Sequence, residues 1–211
     1  MDTWTRLQNG SDIRGVAIAG VEGEPVTLTE AISRTLGRAF ADWLAARGAG
    51  QGLRVAVGHD SRLSAAAIKQ AVMEGLGEAG STPLDCGLAS TPAMFMSTVF
   101  ESHGYDGAIM LTASHLPFNR NGMKFFTRDG GLEKADIKDI LARAAEIGER
   151  PDATGLAAES VDLMQDYAAH LVTVIREGAG TELPLKGLRI VVDAGNGAGG
   201  GAPPVNRVLR A

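Results

Sequence analysis

The sequence predicts an α/β fold: a mixed, largely parallel sheet sandwiched by helices, followed by the start of a second, similar unit. Short apolar runs closed by glycine alternate with stretches of helical spacing through residues 1–150. Several of these runs are apolar without interruption, as in strands covered on both faces. The pattern lapses after Pro151 and resumes at Leu188.

Gly15–Gly20 (GVAIAG) reads as the first buried strand. Thr27-Leu28-Thr29-Glu30 fits a capping box, in which Thr27 and Glu30 satisfy each other's free amides. Ile32, Leu36, Phe40 and Leu44 then form one face of an amphipathic helix that Gly48 ends. Leu53–Gly58 (LRVAVG) is the second strand, and Ser64 caps a helix over 65–79 that Gly80 closes. Thr82–Cys86 is extended, and Pro92 suits the first turn of a helix over 92–102. Gly107–Leu111 (GAIML) and Met123–Thr127 (MKFFT) are further strands, and the Asp129-Gly130-Gly131 turn leads into a helix from Glu133 to about Glu149. The small, polar stretch after Pro151 and a helix predicted over 161–175 make residues 151–187 a linker with a connecting helix. Leu188–Asp193 (LRIVVD) then opens a unit, residues 188–211, that one strand, a glycine cluster and Pro203-Pro204 cannot complete. The chain is expected to stop inside its second domain.

Composition narrows the function. Of 211 residues, 45% are apolar and 21% charged, enough for a packed core and contrary to wholesale disorder. Lys plus Arg number 20 against 25 Asp plus Glu, and a net charge of −5 argues against duplex binding. A small phosphorylated ligand needs only a few well-placed cations and stays open. Cys86, the single cysteine, cannot form an internal disulfide, and no Cys/His spacing suggests zinc. Cys86, His103 and His170 read as core or surface groups. No apolar run reaches membrane-spanning length, and the N-terminus lacks the basic-then-apolar layout of a secretory signal. The expectation is a soluble cytoplasmic protein without nucleic-acid or membrane partners.

The densest chemistry lies in Thr112-Ala113-Ser114-His115-Leu116-Pro117-Phe118-Asn119-Arg120-Asn121-Gly122-Met123-Lys124, just past an apolar strand. Ligands of open α/β sheets bind outside the carboxyl ends of strands. Phosphoryl transfer asks a protein for a positioned oxygen and fixed positive charge. Ser114, His115, Arg120 and Lys124 supply those groups within eleven residues. A phosphoserine carries roughly −1.5 to −2 charges. One cation at roughly 4 Å from it is worth on the order of 4 kcal/mol near a surface. Several are therefore needed. Taken alone, such a loop more often means a serine in a turn with solvated cations nearby. A serine-hydrolase reading fares worse, because Ser114 lies in no GxSxG elbow and His115 is too close in sequence to be a usual triad base. Ser11-Asp12-Ile13-Arg14-Gly15 and His59-Asp60-Ser61-Arg62 bring Arg14 and Arg62 to comparable loops. Taken singly they read as surface charges or partners of the neighbouring Asp, and taken together they would converge with Arg120 and Lys124 on one cleft.

In order and spacing these loops resemble the α-D-phosphohexomutase superfamily, particularly its phosphomannomutase/phosphoglucomutase branch. SDIRG resembles the first active-site motif, TASHLPFNRNGMK the catalytic serine loop, and DAGNGAGG the start of the second domain. The match extends to about Gly200, with Leu116 where the family often has Asn. The resemblance implies reversible conversion of hexose 1-phosphate and hexose 6-phosphate, with mannose or glucose as the sugar, through phospho-Ser114 and a bisphosphorylated intermediate. It implies Mg²⁺ held partly by the phosphate oxygen of Ser114, and a hexose 1,6-bisphosphate activator. Arg14, His115 and Lys124 would then serve the chemistry, with Arg62 and Arg120 as substrate or phosphate ligands. The family's DGDGDR-type metal loop, sugar-selecting loop and C-terminal phosphate-binding domain are absent from the sequence. The isolated chain is therefore expected to be inactive. The alternatives are a non-catalytic sugar-phosphate-binding fragment or a dinucleotide site at Gly195-Asn196-Gly197-Ala198-Gly199-Gly200.

Overall fold

The structure, a computed structural model, describes residues 2–50, 52–195, 197 and 198. Its strands are β1 (Gln8–Asn9), β2 (Asp12–Val16), β3 (Arg54–His59), β4 (Thr82–Leu88), β5 (Gly107–Leu111), β6 (Arg120–Thr127), β7 (Gly130–Gly131) and β8 (Glu159–Ser160). Its helices are α1 (Glu30–Leu44), α2 (Ala65–Glu78), α3 (Thr91–Val99), α4 (Lys134–Ile147) and α5 (Leu163–Ala179).

Among the described residues the strands form one sheet in the order β1-β2-β6-β5-β3-β4-β8, with β7 paired to the end of β6. β3 runs parallel to β4 and β5, and β4 to β8, each pair of β3–β5 being joined through a helical crossover. The other half is antiparallel: β6 pairs with β5, β2 and β7, and β2 with β1. The switch falls at the β5–β6 connection, where the loop carrying Ser114 turns the chain directly back beside β5.

Strand periodicity separates two cores. Ile13, Val55, Val57, Ile109, Leu111, Met123 and Phe125 face α1, α2 and α4. Ala56, Leu84, Ala108 and Met110 face the opposite layer, with Met94 of α3 and Leu163 of α5. Cys86 packs there too, and burial, with the neighbouring Asp85 charge, pushes its thiol up to about 12. His103 pairs with Asp166 at 3.1 Å, joining the turn after α3 to α5.

Several local expectations change. The first strand lies earlier, over Asp12–Val16, because the Val16 carbonyl accepts the amides of Thr27 and Leu28 and its own amide donates to the Thr27 hydroxyl. That use of Thr27 moves the cap of α1 to Thr29, whose hydroxyl accepts the Ile32 amide. Ser64 precedes α2 without a side-chain capping bond, since its hydroxyl accepts from Asn121. The stretch after Pro151 is tied down: its Glu159–Ser160 supplies edge strand β8, while Arg150, Gly155 and Leu156 bond to Arg34, Glu74 and Gln70. Residues 188–193, expected as a strand, belong to no ladder, and Val191 is 94% exposed. A strand needs a neighbour for its amides and carbonyls, and among the described residues none pairs with this segment. Of the dinucleotide motif, Asn196, Gly199 and Gly200 lie outside the described residues, as do residues 201–211.

Candidate active site

Residues 112–119 leave the carboxyl end of β5 and return along β6. The Thr112 amide bonds to the Gly122 carbonyl, so the loop begins against its own returning strand. Ser114 is exposed at φ +55°, and among the described residues it is the one non-glycine with positive φ. Its amide donates to the Thr112 hydroxyl (2.9 Å), which in turn donates to Asp60 Oδ2 (2.7 Å). Its Oγ lies 3.3 Å from His115 Nδ1.

Arg62 reaches under this loop from the β3–α2 connection. One terminal nitrogen donates to the carbonyls of Pro117 and Arg120, the other to those of Ser114 and Leu116, all at 2.8–2.9 Å. Its Nε lies 3.3 Å from Asp60 Oδ2, and its amide donates to Asp60 Oδ1. The terminal N–H groups expected to meet a phosphate are therefore all turned to main-chain oxygen.

Arg14 and Lys124 form a second group. They sit on adjacent antiparallel strands, with side chains on the face away from Ile13 and Met123. Lys124 Nζ reaches both oxygens of Asp12 (2.7 and 2.8 Å), and Arg14 donates to one of them at 2.9 Å. Gly122 lies opposite Arg14 in the register, and a Cβ there would meet the Ile13 carbonyl and come within 2.9 Å of Arg14 Cγ. Arg14 Nε is buried without a partner. Arg120 forms a third group, pairing with Glu24 at 2.8 Å. A hydrogen bond from Asn119, aided by the Arg120 charge, holds the Glu24 carboxyl below its ordinary range.

The basic residues expected to share one cleft thus divide among three acids. Arg62 and Ser114 line a cleft of about 400 Å³ with Asp60, Thr91 and Thr112. Arg14, Lys124, His115 and Arg120 do not line it. A larger cleft, about 640 Å³, opens at the other end of β5 between Trp43, Arg47, Tyr105 and Arg128 and contains none of the candidate residues. Thr112 and Gly122 were not singled out from sequence, whereas pairing of Arg14 and Arg62 with the neighbouring Asp12 and Asp60 was one of the two readings it offered. The signal for the two acids was present, because Asp12-x-Arg14 falls on one face of a strand and Asp60-x-Arg62 fits an Asx turn.

Among the described residues no three His, Cys, Asp or Glu side chains come together as a cation site. Asp60, the carboxylate beside the serine loop, is already engaged by Thr112 and Arg62. Oxygen donors for a near-octahedral cation would have to come from beyond these residues, so they do not fit Mg²⁺ unaided.

Residues 5–151 match the family described as phosphoglucomutase/phosphomannomutase, alpha/beta/alpha domain I. A phosphoglucosamine mutase of Kineococcus radiotolerans is 36% identical across 97% of this chain and 44% of its own length. A phosphomannomutase of Sinorhizobium fredii is 33% identical across 82% of this chain and 36% of its own. The crystal structure of a phosphoglucomutase/phosphomannomutase family protein from Burkholderia thailandensis superposes with a TM-score of 0.75 at 27% identity, covering 99% of this chain and 42% of that one. The chain spans less than half the length of these relatives. On the match over residues 5–151 and these relationships, the chain belongs to the phosphoglucomutase/phosphomannomutase family.

Proposed function

We propose that this chain carries the phosphoserine part of a phosphohexomutase, which interconverts hexose 1-phosphate and hexose 6-phosphate with Ser114 as phosphoryl carrier. The observation that supports this reading best is Ser114 itself: an exposed hydroxyl at positive φ, just past the carboxyl end of β5, with its own amide and carbonyl both hydrogen-bonded. Relatives named for phosphoglucosamine and for phosphomannose leave the sugar open.

In the forward half-reaction the bond between phosphorus and Ser114 Oγ breaks as a sugar hydroxyl bonds to phosphorus. The hydroxyl proton ends on Ser114 Oγ. His115, whose Nδ1 lies 3.3 Å from that oxygen, would relay it. The bisphosphate then rephosphorylates Ser114 from its other end, which is why a hexose 1,6-bisphosphate would activate the enzyme. Lys124 and Arg14 share Asp12, so this cluster carries one net positive charge, on residues outside the Ser114 cleft. Arg120 is offset by Glu24, and Arg62 by Asp60. One net charge is short of the roughly −1.5 to −2 of a phosphoserine. Mg²⁺ would supply the balance, with the Ser114 phosphate oxygen as one donor.

Prolonged incubation with a hexose 1,6-bisphosphate and Mg²⁺, followed by mass spectrometry, tests the proposal. The expected result is slow addition of one phosphoryl group at Ser114, absent in Ser114→Ala, with no steady-state mutase turnover by the 211-residue chain alone. Labelling elsewhere, or none, rejects the carrier role. Tight binding of the bisphosphate without transfer favours a sugar-phosphate-binding module.

A further inference from the structure

We infer that Arg62 is a positioning residue that holds the Ser114 loop in its working shape, and that it is not a phosphate ligand. The inference deepens the proposed function and rests on Ser114 as the reacting residue. Four N–H groups of one guanidinium meet four carbonyls of one loop, those of Ser114, Leu116, Pro117 and Arg120. These carbonyls lie on both sides of the loop's tip, so the planar fork spans the turn like a brace. An ammonium has three donors on a single atom and cannot reproduce that spread.

The neighbouring acid makes the brace specific. Asp60 accepts the Arg62 amide and lies beside its Nε, which fixes the guanidinium's approach. The same carboxylate accepts from Thr112, whose oxygen receives the Ser114 amide. Ser114 is therefore gripped at its amide through Asp60 and Thr112, and at its carbonyl through Arg62. Those are the two peptide groups that flank its φ and ψ. A residue at φ +55° keeps that conformation only when its surroundings over-determine it, and these two bonds do so. Asn121 adds a fixed base, donating to Ser64 at the start of α2 while accepting the Gly122 amide.

Amide hydrogen exchange on the whole chain, with Arg62→Gly, Arg62→Lys and Ser114→Ala, tests the inference. In Arg62→Gly, the amides of Ser114, Leu116 and Arg120 are expected to exchange at least about tenfold faster, while those of β3 and α1 keep their protection. Millimolar guanidinium chloride should restore protection to Arg62→Gly, and Arg62→Lys should restore it only in part. Ser114→Ala should keep the protected loop, so this readout survives even if Ser114 never carries a phosphoryl group. Unchanged exchange in Arg62→Gly, or full restoration by lysine, overturns the inference. So does a loss of inorganic phosphate binding with the loop still protected, which would return Arg62 to the ligands.

Discussion

Ser114 combines two demands that oppose each other. Its backbone sits where glycine is comfortable and other residues pay a steric penalty, while phosphoryl transfer needs a side-chain hydroxyl at that point. Ser114→Gly is expected to raise stability by about 1 kcal/mol, seen as a higher melting temperature, while abolishing phosphoryl uptake. A lower melting temperature would show that the loop's hydrogen bonds do not hold a strained residue. Sequence made the loop and its cations visible, since Ser114, His115, Arg120 and Lys124 cluster within one short segment. It did not reveal their partners. Asp12 and Lys124 lie 112 positions apart and meet only because β2 pairs with β6.

At the scale of elements, the α1–α2 contact shows how helix packing supports the site. A Cβ on Gly37 would run into the Val72 carbonyl, and one on Gly75 into the Arg34 carbonyl, so the two helices touch backbone to backbone. α2 begins immediately after the Asp60–Arg62 turn, and its seating sets where that turn stands beneath the serine loop. Gly75→Ala is expected to destabilise the protein by about 1–3 kcal/mol through overpacking. Gly178, in α5, has open space around its Cβ position, and Gly178→Ala should stabilise by about 0.5–1 kcal/mol. Thermal unfolding of the two variants checks the opposite signs. Periodicity identified α1, because Ile32, Leu36, Phe40 and Leu44 repeat on one face, and Ser64 and Gly80 marked the ends of α2. Neither signal showed that Gly37 and Gly75 mark a crossing, since close approach depends on the other helix.

Across the whole molecule, one buried ion pair joins the helical layer to the chain beyond α4. Arg34 and Glu74 are each 2% exposed and meet at 2.7 Å. Arg34 also holds the Arg150 carbonyl, and Glu74 accepts the Gly155 amide. Burial raises the Glu74 pKa, but hydrogen bonds from Gln70, Arg34 and Gly155 with the Arg34 charge outweigh it, leaving the carboxyl below its ordinary 4.5. A depressed carboxyl stabilises the fold above pH 4.5 and loses that contribution as pH falls through its lowered value. Glu74→Gln should cost about 3–5 kcal/mol at neutral pH, because Arg34 stays buried without its counter-charge. The variant's stability should also fall less steeply than the wild type's below pH 4.5, measured by denaturant unfolding across acid pH. Equal slopes would remove Glu74 from the acid response.

Apolar period and glycine punctuation, which are local properties of the chain, made the α/β class, the main helices and the serine loop's place after a buried strand legible, but not strand β8 or the irregular path of residues 188–193. Arg14 and Arg62 meet acids two positions away. Folding alone brings Lys124 to Asp12 and Arg120 to Glu24, turns Arg62 inward to the loop's carbonyls, and fastens residues 150–156 onto α1 and α2. Those outcomes follow from strand pairing and helix crossing between distant segments, where hydrogen bonds and ion pairs form according to position in space.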